Sequence, residues 1–292
     1  ATVMWLFFEY TTPGRRLLFV GRNREVSRLS GINVERTRLL ALMALGFLVL
    51  PLVVIVGSSL TTSQFLAFPP EGLTLRWYEL VIADPSYVAS FTTSLLLAAT
   101  ATIGAVILAV PAALAIARHD FFGKAALASI LLSPLVLPHL VLGAALLQFG
   151  ASIGLMRNFA SLLVGHVVII TPFVLRTVLP LLSREQQALE EASRDLGANA
   201  PTTFFLITLP QIRSGLAVGA IFAFITSFIN VELSIFNTTA SLNTVPVQLF
   251  NYVQYSVDPS IAAVSSVTII AAVVAIVVID MTIGLDFLSD KG

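Results

Sequence analysis

The stretch that decides the fold is Glu190-Glu191-Ala192-Ser193-Arg194-Asp195-Leu196-Gly197, followed after nine intervening residues by Ile207-Thr208-Leu209-Pro210. It forms a polar, charged island between two strongly apolar segments. A loop inside a membrane protein does not need this pattern merely to reverse its direction. We therefore predict a short acidic helix, a bend at Gly197 and a second short helix, which together form a docking surface for another protein. The alternative is an amphipathic loop without a partner.

The composition of the chain places it in lipid. Of its 292 residues, 57% are hydrophobic and only 11% are charged, and the mean hydropathy is +0.94. Soluble domains carry about a quarter charged residues. The chain has no cysteine, which excludes a disulfide framework, thiol catalysis and cysteine-ligated metal.

Apolar runs long enough to cross a bilayer, about 20 residues each, recur along the chain. Lipid cannot satisfy exposed backbone groups, so helices are the expected solution. The runs are also too uniformly apolar for the alternating strands of a membrane barrel. We predict an all-α membrane protein with six transmembrane helices, at residues 39–60, 88–117, 125–149, 161–182, 214–236 and 260–284.

The basic residues predict the orientation of these spans. Fourteen of the sixteen lysines and arginines fall on one side of the six-span arrangement, and only Arg76 and Arg157 fall on the other. Basic residues are enriched in short loops on the cytoplasmic side of a membrane. We therefore expect a multi-pass protein of the bacterial cytoplasmic (inner) membrane, with both termini and the Glu191 loop in the cytoplasm.

The spacing of Glu191, Ala192, Gly197 and the Ile207–Pro210 segment resembles the EAA loop of ABC-importer permeases, with Ser193 in place of the second alanine. Three further segments look like the first external loop, the third span and the fourth span of spermidine/putrescine-type permeases. They are Ser63–Tyr78, Ser133–His139 and Thr171–Thr177. The resemblance covers residues 38–285.

This resemblance implies the type I ABC importer permease fold, with six helices in each subunit. The domain would span residues 39–285, with a cytoplasmic coupling loop at 183–212 and a cytoplasmic tail at 286–292. The implied partners are a dimer of cytoplasmic ABC ATPases, a second permease subunit (homologous or identical), an extracytoplasmic solute-binding protein and membrane lipid. No nucleic acid is expected.

Residues 1–38 differ in character from the rest of the chain. Pro13-Gly14-Arg15-Arg16 and the Arg28–Val34 segment resemble the cytoplasmic coupling segment of ribose-type sugar permeases, a different permease class. Two interpretations stay open: a basic cytoplasmic arm lying on anionic lipid, and a fused fragment.

The chain lacks the lysine that a nucleotide-binding P-loop requires. That motif needs Gly-Lys followed by Ser or Thr, but Lys124 precedes Ala125 and Lys291 precedes Gly292. We predict a transport subunit rather than an enzyme, with no catalytic residue, no metal site and no cofactor of its own. ATP and Mg would bind to the partner ATPase.

The predicted coupling site lies in the 183–212 loop. The family resemblance implies that Glu191 meets a basic residue in the ATPase cleft. The sequence further suggests that Phe204 and Phe205 anchor the second short helix, and that Pro210 ends the loop before the fifth span. The full predicted set is Glu190, Glu191, Ala192, Asp195, Gly197, Phe204, Phe205, Leu209 and Pro210.

Polar side chains within the spans are candidates for the solute pathway. They are Glu232, Asn230, Ser227, His139 and His166. Ionisable groups at membrane depth usually face an interior or an aqueous cavity, but polar side chains also form hydrogen bonds between helices. Both interpretations stay open.

The solute is expected to be small and hydrophilic, and a polyamine or related organic amine is favoured. Polyamine-type permeases often carry paired acids after Ser-Phe in the fifth span, whereas here Ser227-Phe228 is followed by Ile229-Asn230. Iron, phosphonate and opine substrates stay open for the same class. A different class, the ion-coupled secondary transporter, would predict an inverted repeat, and a membrane-embedded enzyme would need clustered catalytic groups.

Overall fold

The computed structural model describes residues 33–283 together with Thr11 and Arg15. Within these residues the chain is helical, and its β-structure is limited to one isolated antiparallel bridge between Thr61 and Leu73. The all-α prediction is therefore confirmed. Most of the 1–38 arm and the whole of the predicted 286–292 tail lie outside the described residues.

The helices that matter for the site follow one another along the chain with short connections. In order they are α1 (Val34–Ser59), α2 (Arg76–Ala83), α3 (Pro85–Arg118), α4 (Lys124–Leu132), α5 (His139–Ser152), α6 (Phe159–Val178), α7 (Arg184–Asp195), α8 (Ala200–Thr203), α9 (Leu209–Phe228), α10 (Ser234–Asn237), α11 (Val245–Val253) and α12 (Pro259–Ile283).

Several of these helices are long and apolar enough to cross a membrane. Four qualify in the described chain, at Val34–Ser59, Pro85–Arg118, Phe159–Leu181 and Ala200–Phe228. A bent pair, Lys124–Leu135 with His139–Ser152, makes a fifth if it is counted as one span. Helix α12 is a further apolar helix, of which the part from Pro259 to Ala275 is shorter than the other four.

The third predicted span is not one straight helix. The 125–149 run is broken after a 3-10 turn at Ser133–Leu135, and the chain bends by 108° between its two halves. Pro138 immediately precedes α5. A proline lacks the backbone N–H and disfavours helical geometry in the residue before it, which accounts for a sharp bend at residues 136–138.

The fifth predicted span, 214–236, ends early. Helix α9 stops at Phe228, and residues 229–233 are not helical before the short α10 begins. The Asn230 side-chain oxygen accepts a hydrogen bond from the Leu233 backbone N–H at 3.0 Å, and the Asn230 backbone carbonyl accepts one from the Ser234 hydroxyl at 3.1 Å. Such local bonds compete with helical hydrogen bonding, so Glu232 lies in a helix break and not inside a span.

The start of the same span also differs from the prediction. Pro210 does not end the loop, because α8 continues through a π-helical turn at Phe204–Thr208 directly into α9. A wider turn relieves the clash that a proline makes with the carbonyl group four residues earlier. Helix α1 likewise begins inside the predicted 1–38 arm, where the Asn33 side chain caps it by accepting from Arg36 N–H at 2.9 Å.

The core is a three-helix packing of α3, α6 and α9. Helix α3 contributes a stripe of fully buried small residues, which lets its neighbours approach closely. With 34 residues, α3 is about 50 Å long, well beyond the roughly 30 Å hydrocarbon thickness. Its last residue, Arg118, therefore reaches the 183–212 loop. The stripe consists of Ala98, Ala101, Ala105, Ala109 and Ala113.

Candidate functional site

The predicted bend between two short helices is present at Gly197. Its φ angle is +92°, a conformation that a residue with a Cβ resists. The Gly197 N–H donates to the Arg194 carbonyl at 2.9 Å, and the Ala198 N–H donates to the Ser193 carbonyl at 3.1 Å. This pair of bonds is the Schellman arrangement that ends many helices, and it stops α7.

The second helix starts almost at once. The Asn199 side chain accepts hydrogen bonds from the Thr202 backbone N–H at 2.9 Å and from the Thr202 hydroxyl at 2.7 Å, which caps α8. A contact of 3.3 Å between the Ser193 and Thr203 hydroxyls joins the two helices across the bend. The loop therefore consists of two short helices, α7 and α8, held at a fixed bend.

Glu190 points inward and is held by three hydrogen bonds. Arg118 donates from Nε to Oε2 at 2.9 Å and from Nη2 to Oε1 at 3.0 Å, and the Thr208 hydroxyl donates to Oε1 at 2.9 Å. The side chains of Arg118 and Glu190 are only 11% and 8% exposed. Sequence reasoning placed Glu190 in the coupling set but missed Arg118 and Thr208.

The Glu190 carboxylate keeps its charge at neutral pH. Burial alone would raise the pKa of Glu190, but the hydrogen bonds from Arg118 and Thr208 and the nearby positive charges outweigh it, so the net pKa is lowered. A lowered carboxyl pKa gives stability that is present above the unfolded value and is lost as pH falls through the folded value. The ion pair therefore persists through the physiological range, and its contribution to stability is lost only in acid, as pH falls through the lowered pKa of Glu190.

Glu191, the next residue, points outward. Its Oε1 accepts a hydrogen bond from Gln187 Nε2 at 2.9 Å, one turn earlier on the same helix. Ala192, Asp195 and Leu196 are exposed as well, and Leu196 at the tip of the bend is 90% exposed. The predicted coupling set therefore divides into an inward glutamate and an outward surface.

A groove of about 660 Å³ lies between the end of α3 and the two short helices. Phe204 lies in its wall and packs against the buried core, as predicted for an anchor. Phe205 meets Phe204 edge-on, with ring centroids 5.0 Å apart, but is 61% exposed. Phe205 also lines the groove, but because most of its side chain is exposed it buries less apolar surface than Phe204 and is the weaker anchor. Leu209 packs against the core, and Pro210 is exposed.

The candidate pathway residues converge on the helix break at 229–233. The His166 ring is fully buried, with Nδ1 2.7 Å from the Ser227 hydroxyl and Nε2 2.9 Å from the Ser234 hydroxyl. Asn230 Nδ2 lies 3.4 Å from His139 Nδ1. His166 thus joins α6 to both sides of the break and faces no surface of the chain.

Glu232 is the exposed member of this group, and His139 is half-buried. The backbone beside Glu232 lies directly on α5 at Gly143, where an added Cβ would come within 2.9 Å of the Leu233 Cα. The Asn237 side-chain amide donates to the Gly143 carbonyl at 3.3 Å, which holds α10 to the same helix. The break is therefore fixed in place, with Glu232 on its open side.

The end of the molecule opposite the coupling loop carries an excess of acidic residues. The segments that join the long helices at this end, including α2, contain Glu71, Glu79, Asp84 and Asp258 but only Arg76 and Arg157 as basic residues. Asp258 caps α12 by accepting from the Ser260 N–H at 2.9 Å, and it also accepts from the Tyr252 hydroxyl at 2.6 Å. Negative charge at this end attracts cations from solution.

Two family models match the chain. The model described as "Binding-protein-dependent transport system inner membrane component" matches residues 105–285. The model described as "Branched-chain amino acid transport system / permease component" matches residues 1–49. The N-terminal segment is thus similar to a second class of permease, in line with the resemblance seen in its sequence.

Curated relatives and solved structures agree with the first model. The chain is 27% identical over 231 residues to the spermidine/putrescine permease protein PotC of Escherichia coli K12, covering 79% of this chain and 87% of PotC. It is 29% identical over 243 residues to the putrescine permease protein PotI of the same strain, covering 81% and 85%. A bacterial ABC transporter that imports alginate has the same fold, with a TM-score of 0.62, 16% identity, and 88% and 97% coverage.

These findings exclude the ion-coupled secondary transporter and the membrane-embedded enzyme considered from the sequence. They also fit a chain that lacks a P-loop and therefore relies on a separate ATPase. The protein is a multi-pass inner-membrane permease subunit of an ATP-driven importer. The chain belongs to the family of binding-protein-dependent transport system inner membrane components.

Proposed function

We propose that this permease passes a small cationic amine of the polyamine class from an extracytoplasmic binding protein to the cytoplasm. The observation that carries the proposal is the 27% and 29% identity to PotC and PotI across four fifths of the chain. The acidic excess at the outer end and the exposed Glu232 carboxylate support it, because both favour a positively charged solute.

The proposed topology has six spans and cytoplasmic termini. The bent α4–α5 pair supplies the third span and α12 the sixth, in addition to the four long helices. The distribution of basic residues supports this orientation. It places the Glu191 surface in the cytoplasm and the acidic segments outside.

Single-cysteine labelling tests this topology, because the chain has no cysteine of its own. Ser241→Cys, at an exposed position in the 238–244 connection, should react with a membrane-impermeant maleimide in intact cells. Phe122→Cys, at a fully exposed position in the 119–123 turn, should react only after the cells are permeabilised. The reverse pattern would contradict the proposed orientation.

The outward surface of α7 and its tip is the proposed ATPase contact. Glu191, Ala192, Asp195 and Leu196 are exposed together, and the Gly197 bend holds them at the end of a fixed helix. A stiff surface of this kind suits a joint that must carry motion from the ATPases into the spans. The second permease subunit would present an equivalent surface to the other ATPase.

The proposed pathway runs past the open side of the helix break. Glu232 supplies charge there, and Asn230 and His139 lie beside it. Non-helical backbone at membrane depth is tolerated where it is packed in protein or lines an aqueous cavity. His166 and Ser227 support this arrangement from behind by hydrogen bonding.

Uptake by the reconstituted complex tests the substrate and Glu232 together. Wild-type complex should accumulate radiolabelled spermidine or putrescine when ATP is present. Glu232→Gln keeps the shape and removes the charge, so amine uptake should fall about tenfold, equivalent to about 1.4 kcal/mol, with assembly unchanged. Glu79→Gln, an exposed outer carboxylate on α2, is the matched control and should change uptake less than twofold.

Two results would count against these assignments. Wild-type complex that hydrolyses ATP but accumulates neither amine would refute the substrate class. Unchanged uptake in Glu232→Gln, with loss of assembled complex in Glu232→Leu, would show that Glu232 is a structural hydrogen-bonding residue.

A further inference from the structure

We propose that Arg118 is the link that carries motion from the coupling helices into α3, and that Glu190 and Thr208 exist to hold this arginine. Arg118 is thus a positioning residue for transport, and Glu190 does not touch the ATPase. The inference rests on the proposed coupling role of the 183–212 loop.

The chain connects the coupling helices to two of the three core helices but not to the third. Helix α8 continues into α9 through the π-helical turn, and α7 follows α6 after the short turn at Leu179–Leu181. Helix α3 ends at Arg118 and leads away to α4. Any motion of the coupling loop therefore reaches α3 only through side-chain contacts.

Arg118 supplies that contact with a geometry only arginine provides. Two of its nitrogens bind both oxygens of Glu190, while Nη1 donates to the carbonyls of Leu182 at 3.0 Å and Ser183 at 3.2 Å. These carbonyls lie at the junction between α6 and α7. A planar guanidinium can bind a carboxylate and two carbonyls at once, whereas the lysine ammonium is a point charge without a fork.

Thr208 adds a third bond to Glu190, and the hydrogen-bonded group of Arg118, Glu190 and Thr208 is called the Arg118 node below. Its hydroxyl donates to the same carboxylate from the π-helical turn that leads into α9. One buried ion pair therefore joins four segments: the end of α3, the α6–α7 junction, the body of α7 and the start of α9. The burial of both charged side chains protects the pair from screening by salt.

The remainder of α3 is suited to move as a rigid body. Its alanine stripe packs closely against α6 and α9, and Val110 and Ile116 of the same helix are buried in the same core cluster, so α3 moves as one unit. With the Arg118 node intact, α3 follows the coupling helices. Without it, α6 and α9 move while α3 lags behind.

The experiment compares variants in the complete complex, with both permeases and both ATPases, in phospholipid vesicles with the binding protein and radiolabelled spermidine. Arg118→Lys keeps the positive charge but loses the planar guanidinium that binds both oxygens of Glu190. ATPase co-purification and basal ATP hydrolysis should stay within twofold of wild type, while spermidine moved per ATP hydrolysed should fall at least tenfold. Stimulation of ATP hydrolysis by the binding protein should fall in parallel.

Asp120→Asn is the matched control. It breaks the neighbouring pair between Lys124 Nζ and Asp120 Oδ1, which are 2.9 Å apart, but Asp120 is fully exposed and joins only the 119–124 turn. This variant should match wild type in every readout. A tenfold loss in Asp120→Asn as well would overturn the inference, because it would show that any charge change near the loop is sufficient.

Thr208→Val keeps the volume and removes one bond to Glu190, and it should lower the spermidine-to-ATP ratio two- to fivefold. It decides the outcome if Arg118→Lys fails to assemble. A wild-type ratio in either assembled variant refutes the link. The two proposals fail in different ways. A wild-type complex whose ATP hydrolysis is stimulated by the binding protein, but which takes up no spermidine, refutes the substrate. In that case the Arg118 link is judged by whether Arg118→Lys and Thr208→Val lower this stimulation.

Discussion

Glu191→Arg is expected to abolish transport and to release the ATPase, while the permease stays folded in the membrane. Glu191 is exposed, and its single described hydrogen bond comes from Gln187 on its own helix, so the change costs the fold about 0.5 kcal/mol at most. If Glu191 pairs with a basic ATPase residue, the reversal leaves two positive charges facing each other. Loss of a partly buried ion pair costs about 3–5 kcal/mol, or at least a hundredfold in affinity.

The measurement is co-purification of the ATPase with tagged permease, followed by uptake in vesicles. Glu185→Arg is the matched control, because Glu185 is an exposed acid on the same helix, in its first turn and away from the Gly197 tip. Full ATPase recovery and normal uptake in Glu191→Arg would contradict the docking role. Glu190→Arg should behave differently, with loss of folded permease, because it buries two positive charges together.

Gly143→Ala is expected to remove most transport through a single added methyl group. The new Cβ would lie 2.9 Å from both the Cα and the carbonyl oxygen of Leu233, and backbone atoms cannot rotate away as a side chain can. Overpacking of this kind costs about 1–3 kcal/mol. The helix break must shift away from α5, which displaces Glu232 and strains the Asn237 bond to the Gly143 carbonyl.

The check is uptake per assembled complex, together with the thermal stability of the purified permease. Gly46→Ala is the matched control, since its new Cβ has no neighbour within 4 Å and alanine favours a helix. We expect Gly46→Ala to retain wild-type uptake. Equal behaviour of the two variants would mean that the break does not need its close packing on α5.

The sequence was sufficient for features that depend on neighbouring residues. Hydrophobic runs located the long helices, and Gly197 located the bend, because both follow from local chemistry. The helix breaks were missed for the opposite reason. Whether the helix continues past Asn230, or the Asn230 side chain instead accepts from the Leu233 N–H, depends on the packing of Leu233 against Gly143 and Gly165, which are distant in the sequence.

The assignment of the two glutamates shows the same limit. Adjacent residues on a helix point about 100° apart, so Glu190 and Glu191 face different sides of α7. Choosing between them requires knowing that Arg118, 72 residues earlier, ends at the same place. The available signal was modest: Arg118 is the one charged residue in the long apolar run of α3.

The unbroken path from α8 to α9 makes one rod of the segment Ala200–Phe228, with 29 residues and a length of about 43 Å. Its base carries the coupling helix, and its far end adjoins the break that holds Glu232. A rod magnifies a rotation in proportion to its length: a tilt of about 5° at the base moves the far end by about 4 Å, more than the diameter of a water molecule. If the exposed face of α7 is the ATPase contact, as proposed, a small adjustment there is sufficient to open or close a gap beside Glu232 at the far end of the rod.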